Sequence, residues 1–141
     1  MAIRNFKHHR PNIGHATFVD PSAQVIGRVN IGNDCSIWPL TTIRGDVNSV
    51  NIGHNTNIQD NSVLHVTHDH PASPPGGYPL SIGDNVTIGH GVILHGCSIG
   101  NNCLIGMGSR VLDGAVIDEM FKCSIFSLRE GPNKNSCCQF K

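Results

Sequence analysis

Between Ser81 and Ile117 an aliphatic residue returns at Ile82, Ile88, Leu94, Ile99, Ile105, Val111 and Ile117, a step of six residues with a single step of five. Four places after each of the first six stands a small or β-branched residue: Val86, Val92, Ser98, Cys103, Ser109 and Ala115. The positions between are filled largely by Gly, Asn, Asp and other polar residues. A helical period of 3.6 does not generate this spacing, and the Gly, Asn and Asp content disfavours long helices. The hexad predicts short parallel strands separated by turns, with three repeats closing each triangular coil of a parallel β-helix.

The same register starts at Val19 and passes through Val25, Ile31, Ile37 and Ile43, with Ala23, Val29, Cys35, Thr41 and Val47 as the small followers. Around Asn48 to Asn51 three extra residues enter, and the register resumes at Ile52, Ile58 and Leu64. That reads as an insertion at a corner. After Leu64 comes VTHDHPASPPGGYPL, residues 66–80, whose Pro and Gly cluster forbids regular pairing and predicts a loop excursion. Loops that leave a strict repeat tend to sit at a functional face. The domain plan is a lead-in over residues 1–18, a β-helix over 19–119 and an atypical tail over 120–141. After Asp118 and Glu119 the hexads stop. The tail shows no amphipathic helix, and an uncovered solenoid end exposes a sheet edge. Phe121, Phe126 and Phe140 are candidates to cover it, with a disordered tail as the alternative.

Composition narrows the function classes. At 141 residues there is room for one domain. Ten Lys and Arg balance ten Asp and Glu, so there is no electrostatic footprint for nucleic acid or an anionic membrane. The N-terminus lacks an apolar signal region, and no apolar run approaches the roughly 20 residues of a membrane helix. A cytoplasmic protein is expected, with an organelle interior as the alternative. Cys35 and Cys103 fall on the small inward position of their hexads, where a thiol acts as a small hydrophobe, in keeping with a reducing compartment. Cys97 lies beside His95 but has no CxxC partner, and adjacent Cys137 and Cys138 fit no zinc spacing.

Counting three hexads per coil puts Ile43, Leu64 and Leu94 on one face in successive coils. The residues after them, Arg44, His65 and His95, then form an outward column at the ~4.8 Å spacing of paired strands. Two imidazoles one coil apart are close enough to share a metal ion with bonds of ~2.0–2.1 Å, or to form a hydrogen-bonded histidine ladder. His90 follows Ile88 on the preceding face, across a corner of the prism. Three-fold association would bring it against His65 and His95 of a neighbouring chain. A three-histidine site assembled in that way leaves a coordination position open for water, the mark of a catalytic zinc.

The motifs IWPLTTIRGDV (37–47), NIQD (57–60), SVLHVTH (62–68), VTIGHGVILHGCSIG (86–100) and IGMGS (105–109) follow one another in order. With them the chain resembles the γ-class carbonic anhydrases and their close bacterial homologues. The resemblance implies a left-handed β-helix and a homotrimer. It implies Zn²⁺, or else Fe²⁺ or Co²⁺, bound by His65 and His95 of one subunit and His90 of the next. It matches Arg44 and Asp46 to a salt bridge across the trimer interface, and Gln59 and Asp60 to residues that hydrogen-bond around the metal's water. By the face count, Asp60 lies one coil below His90. The implied reaction is that of a lyase, reversible hydration of CO₂ to bicarbonate by hydroxide at the metal.

Two departures stand out. Val47 occupies the place of a glutamate in the family archetype, and His68, Asp69 and His70 stand where the archetype has an acidic loop with its proton shuttle. His68 or His70 is either a replacement shuttle or a solvated loop residue. The C-terminal capping helix of the family is missing from the pattern. Other functions remain open: an acyltransferase or metal-dependent thioesterase acting on acyl-CoA, or a metal-binding scaffold with little turnover. Metal content separates the single-base acyltransferase from the rest, and activity on CO₂ or on acyl-CoA separates the others.

Overall fold

Strands of two or three residues, such as Asn57–Ile58, Val63–His65 and Thr87–Ile88, alternate with turns along the chain. A computed structural model describes residues 3–123 and the strand Ser127–Leu128. Among these residues there is no helix, and the strands pair in parallel through three faces. One face stacks Ile3–Arg4, the first half of Gln24–Ile31, the first half of Thr42–Ile52, Val63–His65, Ile93–His95, Arg110–Val111 and Ser127–Leu128. A second stacks Asn12–Ile13, the ends of those two long strands, Leu80–Ile82, Ser98–Ile99 and Val116–Ile117. The third runs from Phe18–Val19 through Ser36–Ile37, Asn57–Ile58, Thr87–Ile88 and Leu104–Ile105 to Lys122–Cys123. This is the left-handed parallel β-helix.

The hexad aliphatics point into the prism because side chains alternate along a strand. Val25, Ile43, Leu64, Leu94 and Val111 form one fully buried column, and Ile37, Ile58, Ile88 and Ile105 form another. Each such burial contributes about 1.5–3 kcal/mol. The small followers fill the corners except Val47 and Ser98, which are exposed while Val50 and Cys97 are buried. At several corners a hydroxyl meets a backbone carbonyl of the next coil. Thr41 donates to the Gln59 carbonyl at 3.0 Å, Thr56 to Gly83 at 3.0 Å and Ser62 to Gly89 at 3.1 Å. Asn and Asp serve the turns, since Asp34, Asn55, Asn85 and Asn102 have φ between 52° and 57°, a region such short polar side chains tolerate. Side chains at the turns also join the coils: Asn33, His54, Asp84 and Asn101 each accept a backbone N–H from the preceding coil.

Three features were less plain in the pattern. Ile3 and Ile13 pair with Val25 and Ile31, so parallel pairing already begins within residues 3–13. The corner insertion lies between Gly45 and Val50, where residues 46–49 bulge out opposite the single residue Arg28. Pairing also runs on past Glu119, because Cys123 and Leu128 keep steps of six and five from Ile117 and register with Ile105 and Val111. Phe121 packs against the core, while Phe126, Phe140 and the Cys137–Cys138 pair lie outside the described residues. The excursion over residues 66–80 is closed by a reciprocal pair of backbone hydrogen bonds between Thr67 and Tyr78 at 3.0 Å. Asn48, on the corner bulge, ties it down by donating to the Thr67 and Gly76 carbonyls at 2.9 and 2.8 Å.

Candidate metal centre

His65 and His95 are directly paired in the ladder, each following a fully buried leucine. Alternation therefore turns both imidazoles outward on the same face. His65 Nδ1 and His95 Nε2 face each other at 3.0 Å. The opposite nitrogens are each held by a carboxylate: His65 Nε2 lies 2.9 Å from Asp46 Oδ1, and His95 Nδ1 lies 2.6 Å from Asp113 Oδ1. Asp46 reaches His65 from the corner bulge, and Asp113 reaches His95 from the turn after Arg110–Val111, one coil farther on. Thr67 donates its hydroxyl to Asp113 Oδ2 at 2.7 Å.

Proton bookkeeping shows what this arrangement favours. A neutral imidazole has one N–H and one lone pair. If His65 and His95 each give that N–H to their own aspartate, two lone pairs are left facing each other at 3.0 Å. Such lone pairs repel unless a cation, either a proton or a metal ion, lies between them. Two nitrogens on one tetrahedral zinc at ~2.0–2.1 Å stand about 3.3 Å apart, so a few tenths of an ångström of adjustment would admit the ion. Carboxylate partners on the far nitrogens are the usual supports of metal-binding histidines. The donor set thus fits zinc.

Charge is arranged to keep His65 available. Burial is the largest influence on it and, with the Arg44 and His95 charges, lowers its pKa against the pull of Asp46. Burial opposes the charge on Asp46, but the hydrogen bond with His65, its own backbone N–H and the Arg44 charge outweigh it and leave the carboxyl below its usual value. Within the single chain the Arg44 guanidinium pairs with Asp46. A cleft of about 300 Å³ opens beside that pair, lined also by Arg4, Asn5, Phe6 and Ile26.

His90 is not part of this cluster. It sits at the corner after Thr87–Ile88, where Nδ1 lies 3.0 Å from Asp60 Oδ2 of the preceding coil. Gln59, next to Asp60, is half-buried, and its backbone is fixed by N–H donation to Ile88 at 2.9 Å. Its side chain makes no hydrogen bond to the three histidines among the described residues. His68 and His70 lie on the excursion with ring centroids 5.2 Å apart. Cys97 is buried, which pushes its thiol up to about 12, so it acts as core rather than ligand. Among the described residues of one chain, no three His, Cys, Asp or Glu side chains converge as a metal-binding group.

The family model for bacterial transferase hexapeptide (six repeats) matches residues 10–45 and 79–113. Protein YrdA of Escherichia coli is 53% identical over 111 residues, 79% of this chain and 60% of the relative. Gamma carbonic anhydrase 1, mitochondrial, of Arabidopsis thaliana is 49% identical over 109 residues, 77% of this chain and 39% of that protein. The chain belongs to the γ-carbonic anhydrase-like hexapeptide-repeat family. A crystal structure of a hexapeptide transferase family protein from Anaplasma phagocytophilum superposes with a TM-score of 0.67 at 33% identity, covering 89% of this chain and 74% of that one. The chain spans 60% of the length of protein YrdA and 39% of that of gamma carbonic anhydrase 1.

Within this γ-carbonic anhydrase-like chain, sequence reasoning named His65, His95 and His90 but missed Asp113 and Thr67. Asp113 could have been found by carrying the face count one coil farther, since Val111 registers with Leu94 and the next residues come level with His95 and Gly96. Thr67 had no such signal. It lies beyond the strand Val63–His65, and its partner depends on the path of the excursion.

Proposed function

We propose that this chain forms a homotrimer that binds Zn²⁺ between subunits and catalyses the reversible hydration of CO₂. His65 and His95 of one subunit and His90 of its neighbour would hold the ion. One observation carries the reading: each of the three histidines has its own aspartate, Asp46, Asp113 and Asp60 respectively, at 2.9, 2.6 and 3.0 Å. Histidine ladders without a metal have no need of that arrangement three times over, whereas metal ligands commonly carry it. Exposed Leu40 and Met107, 62% and 60% accessible, flank the His90 corner and give a neighbouring subunit apolar surface to cover. The similarity to a gamma carbonic anhydrase supports the choice of reaction.

Zinc held there would supply a water acidic enough to lose its proton near neutral pH. The chain's own groups would do the rest. Asp46 and Asp113 keep the ring nitrogens of His65 and His95 aimed at one point. The Gln59 amide orients the oxygen nucleophile toward CO₂, with Asp60 steadying His90 beside it. Arg44, paired with Asp46, holds the interface next to the site. His68 or His70 takes the proton toward bulk solvent, in place of an acidic loop residue. The free, buried thiols of Cys35, Cys97 and Cys103 suit a cytoplasmic address, and no helix among the described residues is long and apolar enough to cross a membrane.

Metal analysis and molar mass on wild type and His90→Ala, followed by stopped-flow CO₂ hydration, test the proposal. One metal per chain in a wild-type trimer, lost in His90→Ala, is the expected result; a metal-free monomer would sink it. Because the matching family model and solved structure carry transferase descriptions, acyl-CoA turnover is the competing activity to assay on the same preparation.

A further inference from the structure

We propose that Asp113 is a positioning residue for His95, and that Thr67 fixes Asp113 in that role. The inference rests on the metal reading above and concerns how the chain prepares one ligand for the ion.

Asp113 Oδ1 accepts from His95 Nδ1–H at 2.6 Å, which leaves the lone pair on Nε2, the nitrogen that faces His65. The other carboxylate oxygen accepts the Thr67 hydroxyl at 2.7 Å. Thr67 Oγ1 also lies 3.5 Å from His95 Nδ1, but a hydroxyl has one proton, and the shorter contact is the hydrogen bond. Both oxygens of Asp113 are thus committed, so the carboxylate cannot rotate without breaking one bond.

Two further contacts are built around this one. Gly96 leaves the space that Asp113 needs: a Cβ there would stand 2.3 Å from Asp113 Oδ1 and 2.6 Å from Tyr78 Cβ. Tyr78 in turn holds the backbone of Thr67 on both sides, and Asn48 donates to the Thr67 carbonyl at 2.9 Å. The closed neck of the excursion therefore sets Thr67, Thr67 sets Asp113, and Asp113 sets the ring of His95. Thr67, at the neck of the long loop, is linked to His95 by two consecutive hydrogen bonds.

The test measures Zn²⁺ affinity by chelator competition, alongside molar mass and apo-protein melting temperature, on full-length wild type, Asp113→Ala, Asp113→Asn, Thr67→Val and Thr67→Ser. Asp113→Ala is expected to weaken binding about 10–100-fold with molar mass unchanged. Asp113→Asn, whose carbonyl still accepts from Nδ1–H, should recover most of that loss. Thr67→Val should weaken binding by a smaller factor, and Thr67→Ser should restore it. Wild-type affinity in both Asp113→Ala and Thr67→Val overturns the inference alone. Asp113→Asn as weak as Asp113→Ala also overturns it, because the carboxylate would then act by charge and not by orientation. If Asp113→Ala does not fold, the Thr67 pair carries the same test. A wild-type protein that binds no zinc overturns the metal reading, and this inference with it.

Discussion

His90 Nδ1 lies 3.0 Å from Asp60 Oδ2, at the corner between the strand Thr87–Ile88 and the face on which His65 meets His95. The His90 side chain is 53% exposed, so its Nε2 is free to meet another chain. If the metal lies between subunits, defects on the two faces must complement each other. His90→Ala and a His65→Ala/His95→Ala double variant are each expected to bind no metal alone. Co-refolded in equal amounts, they should recover about a quarter of the sites, because a trimer interface is intact only when the first variant's histidine face meets the second variant's His90. Metal analysis of the mixed trimer reads this directly, and a mixture as empty as its parents would refute an intersubunit site.

Buried thiols give the pH dependence a definite sign. Burial raises the Cys97 thiol from 9.0 to about 12 and raises Cys35 and Cys103 in the same direction. Above pH 9 the unfolded chain loses these protons while the folded chain keeps them, so stability is present below pH 9 and falls as pH rises beyond it. For Cys97 alone the slope is about 1.4 kcal/mol per pH unit. Urea unfolding at pH 8, 9 and 10 should show the decline, and Cys97→Ala should flatten it. At pH 8, alkylation mapped by mass spectrometry should spare all three thiols until denaturant is added.

The corner hydroxyls of Thr56 and Ser62 each donate to a backbone carbonyl and accept a backbone N–H. Thr56 Oγ1 donates to the Gly83 carbonyl at 3.0 Å and accepts the Val86 N–H at 3.2 Å, fully buried. Thr56→Val keeps the shape and strands both groups, at about 1–3 kcal/mol for each buried group left unpaired. Chemical denaturation should show a loss in that range or up to twice it. Thr56→Ser should stay within about 1 kcal/mol of wild type; equal losses in the two variants would mean that packing, not the hydroxyl, matters there.

Most of this architecture was legible because the hexad is a packing rule. An inward aliphatic at every sixth residue and a small corner residue four places later fix which residues stack, and that alone aligned Ile43, Leu64 and Leu94 and so His65 with His95. The pattern was weaker where spacing, not residue type, changed. Ile3 and Ile13 are ten residues apart, and residues 5–11 between them form a bridged loop that hides the first coil. Cys123 continues the hexad, but a cysteine in place of an aliphatic masked it. Asp113 and Thr67 were missed because their partner, His95, is reached across coils and through a loop.

Gly45 joins the solenoid to the site. It lies between Arg44 and Asp46, at the point where residues 46–49 leave the ladder. A Cβ on Gly45 would stand 2.4 Å from the Arg28 carbonyl oxygen and 2.8 Å from its carbon, both backbone atoms that cannot swing aside. Gly45→Ala must therefore part the two coils at the bulge, costing about 2–4 kcal/mol in denaturant unfolding. The displacement falls on the stem of Asp46, whose Oδ1 holds His65 Nε2 at 2.9 Å. Zinc affinity should drop along with stability, whereas Thr56→Val, at a corner distant in register, should lose stability and keep its affinity. A Gly45→Ala protein that binds zinc like wild type would show that the bulge does not set His65, and that the histidine column alone defines the site.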